Sequence, residues 1–348
     1  MMQLRPQTKT LICIGSGGVG KTTMSAALAT GLAFEGKKIL VLTIDPSQRL
    51  AQALGIRTDG EIEQVKLPAK AKGELWSCVI NHKKTFEWFL KNASGEAHES
   101  VEKILQNRLY QQLSGRLSGS QEFTSLISLY RFVSSKEYDL VILDTPPSQH
   151  TWSFLKAPEK ISALFNEGVA SWFRKAADND SRGVFKKLMN VGTTQVIKAL
   201  EMMTGSQFMK ELSAFFQAIQ KWQGPLESYI MNCHRLLVSP DTEFIMVTSL
   251  DSSRLVEAQK LSREILKQGY RLTSVVINRV PVWTQETSAI TSDHLKEIAK
   301  YYAQIEQDLT AHLGQMKKNL KVYKCPERSL KSEDVDALKQ TYDSLQSL

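Results

Sequence analysis

The chain has 348 residues and a formal net charge of +8, with 42% hydrophobic and 23% charged residues, a composition that builds a large core and excludes extensive disorder. No apolar run reaches bilayer-spanning length, and Met1 to Lys9 has no hydrophobic signal-peptide centre, so a cytoplasmic protein is expected. Lys and Arg are spread along the chain without a dense block, and RNA-binding signatures and C₂H₂ spacing are absent, so no nucleic-acid partner is expected.

The first apolar run, Thr10 to Ile14, reads as a strand. Gly15, Ser16, Gly17, Gly18, Val19, Gly20, Lys21 and Thr22 follow it. The segment from Lys21 to Glu35 is Ala-rich, free of Pro and closed by Gly36 at a C-cap position, which predicts a helix. A Gly-rich turn between a strand and a helix lets backbone N–H groups approach phosphate oxygens, and the helix N-terminus adds partial positive charge. In such a loop Lys21 reaches the β- and γ-phosphates of a nucleoside triphosphate, and the Thr22 hydroxyl ligates Mg²⁺.

Further runs recur at Lys38 to Ile44, Leu75 to Ile80, Tyr138 to Leu143, Phe244 to Thr248, Thr273 to Ile277 and Leu320 to Tyr323. Continuous apolar runs separated by helical stretches predict a doubly wound, mostly parallel α/β sheet. Two of these strands end in acids. Asp45 precedes Pro46 and Ser47, and Asp144 precedes Thr145, Pro146 and Pro147, at the strand ends where such sheets bind ligands. Asp144 has the character of a Walker B acid held near Mg²⁺ through water; Asp45 is the better placed to orient an attacking water. The alternative for either residue is a helix cap, more so for Asp45 than for Asp144. Asn278, after the sixth run, offers a donor and an acceptor to an adenine edge, or else belongs to a turn. Cys325, Pro326 and Glu327 follow the last run and suit a second wall of a base pocket.

Two intervals interrupt the alternation, at about 82–135 and 157–240, and both read as helical. The expected organisation is a nucleotide-binding core from 1–81, 136–156 and 241–348, with a helical subdomain built from the two insertions. The Met-rich stretch from Leu188 to Phe216 suits either an adaptable groove for an apolar helix or ordinary core. The four cysteines, Cys13, Cys78, Cys233 and Cys325, lie far apart with no C-x-x-C pair and read as buried thiols.

Gly17 to Thr23, Thr43 to Pro46, and the stretch from Asp144 to Thr151 with Phe154 and Leu155 resemble the ArsA-type ATPases, P-loop NTPases that include the arsenite-pump ATPase and the guided-entry ATPase for tail-anchored proteins. The likeness covers nearly the whole chain. It implies that Gly17, Gly18, Val19, Gly20, Lys21, Thr22 and Thr23 wrap ATP and Mg²⁺. It further implies that Asp45 is the water-activating acid of switch I, that Asp45 and Asp144 stand with Thr22 at Mg²⁺, and that Pro147 to Thr151 form switch II. Asn278 and Pro326 match adenine-contacting positions. The implied assembly is a nucleotide-sandwich dimer whose hydrolysis drives a conformational cycle coupled to a client or membrane-associated partner.

The sequence departs from that pattern at Ser16, where the family's deviant loop carries a Lys that reaches the partner subunit's phosphates. A neutral hydroxyl cannot neutralise charge developing on the γ-phosphate. Three readings stay open: a heterodimer with a Lys-bearing paralogue, a slow self-pairing enzyme, or a nucleotide-gated targeting module for apolar helical clients. A ParA-like positioning ATPase is disfavoured by the helical insertions. Metalloid-stimulated transport is disfavoured because a soft As(III) centre wants converging thiolates, and of the four cysteines only Cys233 falls within an insertion.

Overall fold

The computed structural model describes residues 2–44, 49–56, 60–93, 121–145, 154–156, 223–282, 292–316, 320–327 and 334–347. In chain order the elements are β1 (Thr10–Gly15), α1 (Lys21–Phe34), β2 (Lys38–Thr43), α2 (Arg49–Leu54), β3 (Glu63–Gln64), β4 (Glu74–Val79), α3 (His82–Ala93) and α4 (Gln121–Ser135). They continue with β5 (Leu140–Asp144), α5 (Gln223–Val238), β6 (Thr242–Ser249), α6 (Ser252–Lys267), β7 (Leu272–Val280), α7 (Asp293–Met316), β8 (Lys321–Pro326), α8 (Val335–Asp343) and β9 (Gln346–Ser347). None of these helices is long and apolar enough to cross a membrane.

The strands form one nine-stranded sheet in the order β3-β4-β2-β5-β1-β6-β7-β8-β9. All pairings from β4 across to β8 are parallel, and the short β3 and β9 close the two edges antiparallel. This is the α/β, mostly parallel sheet expected from the apolar runs, each of which contributes a strand. β1 and β5 are buried at every position because both faces of a parallel sheet are covered. From β1 the chain winds through α1 to β2 on one side, while β6 and β7 extend the sheet on the other. The carboxyl ends of β1 and β6 therefore flank a topological switch point, and the glycine-rich loop lies there.

Helix α1 is buried from Met24 through Phe34, which explains why its sequence is small and apolar around its whole circumference. Its close neighbour is α8: a Cβ added at Gly31 would lie 2.1 Å from the Tyr342 ring. Tyr342 also donates its hydroxyl hydrogen to Glu35 Oε1 at 2.8 Å, so the C-terminal helix is fixed to α1 by packing and by a polar tie.

Glu243, near the start of β6, anchors the N-terminal segment. Its carboxylate accepts from Arg5 Nε at 2.9 Å, from Thr273 Oγ1 at 2.8 Å and from the Thr8 hydroxyl. Burial alone would raise its pKa, but the hydrogen bonds from Thr8, Thr273 and Arg5 outweigh burial and hold it below the usual carboxylate range.

The chain divides into two compact units: Met1–Asn81, Ser128–Leu155 and Arg235–Leu348 form the sheet unit, and His82–Ile127 with Lys156–His234 form the other. Within the second unit, Phe89 of α3 meets Phe123 of α4 edge-on at 5.2 Å and Tyr229 of α5 at 5.2 Å. His82 Nδ1 lies 2.6 Å from Thr124 Oγ1, and burial lowers the imidazole pKa. The Met-rich stretch from Leu188 to Phe216 lies outside the described residues.

Two stability outcomes follow from this packing. Gly31→Ala is expected to destabilise the fold by about 1–3 kcal/mol, because overpacking against Tyr342 exceeds the gain of about 1 kcal/mol in helix propensity; denaturant titration measures it. Glu243→Gln is expected to cost about 2 kcal/mol near neutral pH, the scale of a buried charge-assisted hydrogen-bond set. Since the folded-state pKa is lowered, that contribution is present above the ordinary carboxylate pKa and disappears as pH falls through the lowered value. Wild type and variant should therefore converge in acid, and a gap that widens on acidification contradicts the assignment.

Candidate nucleotide-binding site

The loop after β1 is shaped by what its glycines allow. A Cβ on Gly15 would lie 2.1 Å from the Val247 carbonyl oxygen of β6, so only glycine lets the chain leave the sheet at this point. Gly20, the N-cap of α1, adopts a left-handed φ of 88° and leaves the first amides of the helix without a side-chain cap. Gly17 is half-buried, Gly18 exposed, and Val19 is 2% exposed and anchors the loop in the core.

Lys21 begins α1 and is itself buried, its Nζ donating to the Gly15 carbonyl at 3.0 Å and the Ser16 carbonyl at 2.8 Å. These bonds fold the long side chain back along the loop and hold its ammonium over the turn. Thr22, next along the helix, donates its hydroxyl to Asp144 Oδ2 at 2.7 Å. Thr43, the last residue of β2, donates to the same oxygen at 3.0 Å. Asp144, the last residue of β5 and 1% exposed, thus joins the carboxyl ends of two strands to the start of α1. Thr23 is half-buried in the first turn of α1.

Below this level Cys13 of β1 pairs in register with Asp144. Burial pushes its thiol up to about 12, with a smaller push from the Asp144 charge, so it acts as packing. All four cysteines are buried thiols, as their sequence context suggested. Among the described residues no cluster of three or more His, Cys, Asp or Glu is placed to hold a metal ion. Thr22 and Asp144 nonetheless offer the oxygen donors that a phosphate-bound Mg²⁺ prefers.

On the other side of the loop Asn278 donates from Nδ2 to the Val19 carbonyl at 2.8 Å. Pro326, which ends β8, is paired with Val280 of β7, so both sequence-derived base-pocket residues stand at the carboxyl ends of adjacent strands. The structure therefore gathers Gly17 to Thr23, Asp144, Asn278 and Pro326 at the carboxyl ends of the parallel strands. Asp45, with Pro46 and Ser47, and Pro147 to Thr151 lie outside the described residues.

Two features escape a reading by motif. Thr43 opens one of the stretches that carry the resemblance but has no role assigned by it, and only the register of β2 beside β5 reveals it as a partner of Asp144. The link from Asn278 to Val19 joins residues 259 positions apart, and no local pattern announces it.

Comparison with known proteins agrees with this geometry. The sequence profile described as anion-transporting ATPase (ArsA) matches residues 8–313. A protein of Aquifex aeolicus carrying the name arsenical pump-driving ATPase 1 is 25% identical over 84% of this chain and 69% of its own length. ATPase asna-1 of Caenorhabditis elegans is 24% identical over 76% of this chain and 72% of its own, and ATPase get3 of Aspergillus niger is 22% identical over 84% and 79%. With a glycine loop, an embedded lysine and a buried acid at a sheet's switch point, and a family profile spanning most of its length, the chain belongs to the ArsA, or anion-transporting, family of ATPases.

Proposed function

We propose that this chain binds MgATP at the loop from Gly17 to Thr23 and hydrolyses it within a cytoplasmic nucleotide-sandwich dimer, the cycle being coupled to an apolar helical client or a membrane-associated partner. The observation that carries the nucleotide reading is the hydrogen bond from Thr22 to Asp144, beside an ammonium already held over the loop by Gly15 and Ser16. In the proposed complex Lys21 would neutralise the β- and γ-phosphates, and the Thr22 hydroxyl and the Asp144 carboxylate would hold Mg²⁺. Asp45 orients the attacking water, and Asn278 and Pro326 border the adenine. Bound Mg²⁺ supplies charge neutralisation at the phosphates; the protein supplies position.

Ser16 supports the heterodimer reading. It stands where the resemblance places a lysine that acts across the dimer, it is 1% exposed, and among the described residues its hydroxyl has no hydrogen-bond partner. A buried neutral group in its own chain cannot serve as a cation for a partner, so a Lys-bearing paralogue supplying one completes the site. The same feature favours a second reading, a nucleotide-gated targeting module with low intrinsic hydrolysis. The arsenical name of the Aquifex relative is not carried to this chain, because its four cysteines are buried thiols and offer no exposed soft-ligand set.

Steady-state phosphate release tests the catalytic assignment. Asp45→Asn is expected to lower Mg²⁺-dependent turnover by about 100-fold or more while MgATP still binds, and Lys21→Ala to weaken both binding and turnover. Turnover that ignores Asp45→Asn rejects that residue as the acid. For the assembly, adding a Lys-bearing paralogue is expected to raise turnover about tenfold or more, in the range of a missing transition-state cation. Equal rates with and without it reject the heterodimer.

A further inference from the structure

Asn278 has a task that is independent of any base. β7 and β8 run in register to the pair Ile277 and Lys324 and resume it at Val280 and Pro326, with an irregularity between. Asn278 and Arg279 thus stand opposite Cys325 alone, the two-against-one arrangement of a β-bulge, and a bulge re-aims side chains from their strand direction. Arg279 takes a left-handed φ of 56°, uncommon for a residue with a Cβ, and its N–H donates to Asn278 Oδ1 at 3.0 Å. Asn278 Nδ2 donates in the opposite direction, to the Val19 carbonyl at 2.8 Å. The two contacts fix the sense of the amide, since a flipped side chain would set oxygen against carbonyl oxygen and NH₂ against N–H.

The loop is built to receive that amide. A Cβ at Gly20 would lie 2.3 Å from Asn278 Nδ2, so the bond exists because residue 20 is glycine. Asn278 is 9% exposed and Val19 2%, which keeps competing water from the bond. A peptide unit is planar and trans, so fixing the Val19 carbonyl also fixes the direction of the Gly20 N–H, one of the amides at the start of α1.

We propose that Asn278 is a positioning residue of the phosphate loop: its side-chain amide, aimed by the bulge in β7, holds the peptide between Val19 and Gly20 in its phosphate-binding orientation and links the base end of the site to the phosphate end. This deepens the nucleotide-site reading and rests on it. A residue that only touched adenine would act on the base alone. Asn278 instead sets affinity for the phosphates themselves.

The test uses a ligand that has no base. Displacement of a fluorescent ATP analogue by magnesium tripolyphosphate, and calorimetric binding of MgATP, are measured for the wild-type chain, Asn278→Ala and Asn278→Ser, with thermal melting confirming that each is folded. Asn278→Ser keeps a small polar side chain at this nearly buried position and so supplies folded material if the alanine variant does not. Both variants are expected to lose about fivefold or more in affinity for tripolyphosphate as well as for MgATP, the scale of one buried neutral hydrogen bond. Unchanged tripolyphosphate affinity beside weakened MgATP binding overturns the proposal and leaves Asn278 a base contact; unchanged affinity for both ligands overturns it as well. Failure of the wild-type chain to bind either ligand rejects the nucleotide-site reading instead.

Discussion

One buried carboxylate organises the carboxyl end of this sheet. Asp144 lies at the end of β5 and receives the hydroxyls of Thr22 and Thr43 on a single oxygen. A carboxylate so enclosed needs donors, because an unsatisfied buried charge costs far more than a paired one returns. The donors come from the first turn of α1 and the last residue of β2, and meeting that need brings three elements to one point. Lys21, one residue before Thr22, is thereby set beside the loop that holds its ammonium. The glycine-rich loop is consequently a structure fixed from three directions: by Asp144, by Val247 packed against Gly15, and by Asn278 bonded to Val19.

The elements farther from the site serve the same placement. α1 carries the loop at its N-terminus and is buried along its length, so the loop inherits the rigidity of the core. α8 closes over α1 through Gly31 and Tyr342, and β9 returns to pair with β8, which ends in Pro326. The C-terminal segment therefore touches both the helix that starts at the glycine-rich loop and the strand that leads to the proposed base pocket. Glu243 ties the segment before β1 to β6 and β7, the strands beyond the switch point.

Much of this was legible in the residues. Parallel strands are buried on both faces, so their apolar runs stood out, and glycines flanking a lysine between a strand and a helix form a turn whose amides and ammonium suit a phosphate group. β3 and β9 were not legible: two exposed or half-buried residues at a sheet edge, such as Gln346 and Ser347, carry no apolar signal and exist only because β8 offers a free edge. Strand ends were also blurred. The run from Tyr138 begins as strand only at Leu140, and β7 continues past Ile277 to Val280 because the bulge admits Asn278 and Arg279. Asn278 was singled out for its chemistry, yet its bond to Val19 depends on a sheet order that places β7 near the loop. The glycine-rich loop and buried thiols were readable by type; the role of Thr43 was not, since a threonine in a strand usually signals only β-propensity.

The central claim is that the edge of the sheet at Gly17 to Thr23 grips a polyphosphate. Calorimetric titration of MgATP into the folded full-length chain addresses it directly. The expected result is a saturating heat corresponding to one nucleotide per chain, weakened when Mg²⁺ is removed. Absence of any binding heat in well-folded protein would contradict the account at its foundation.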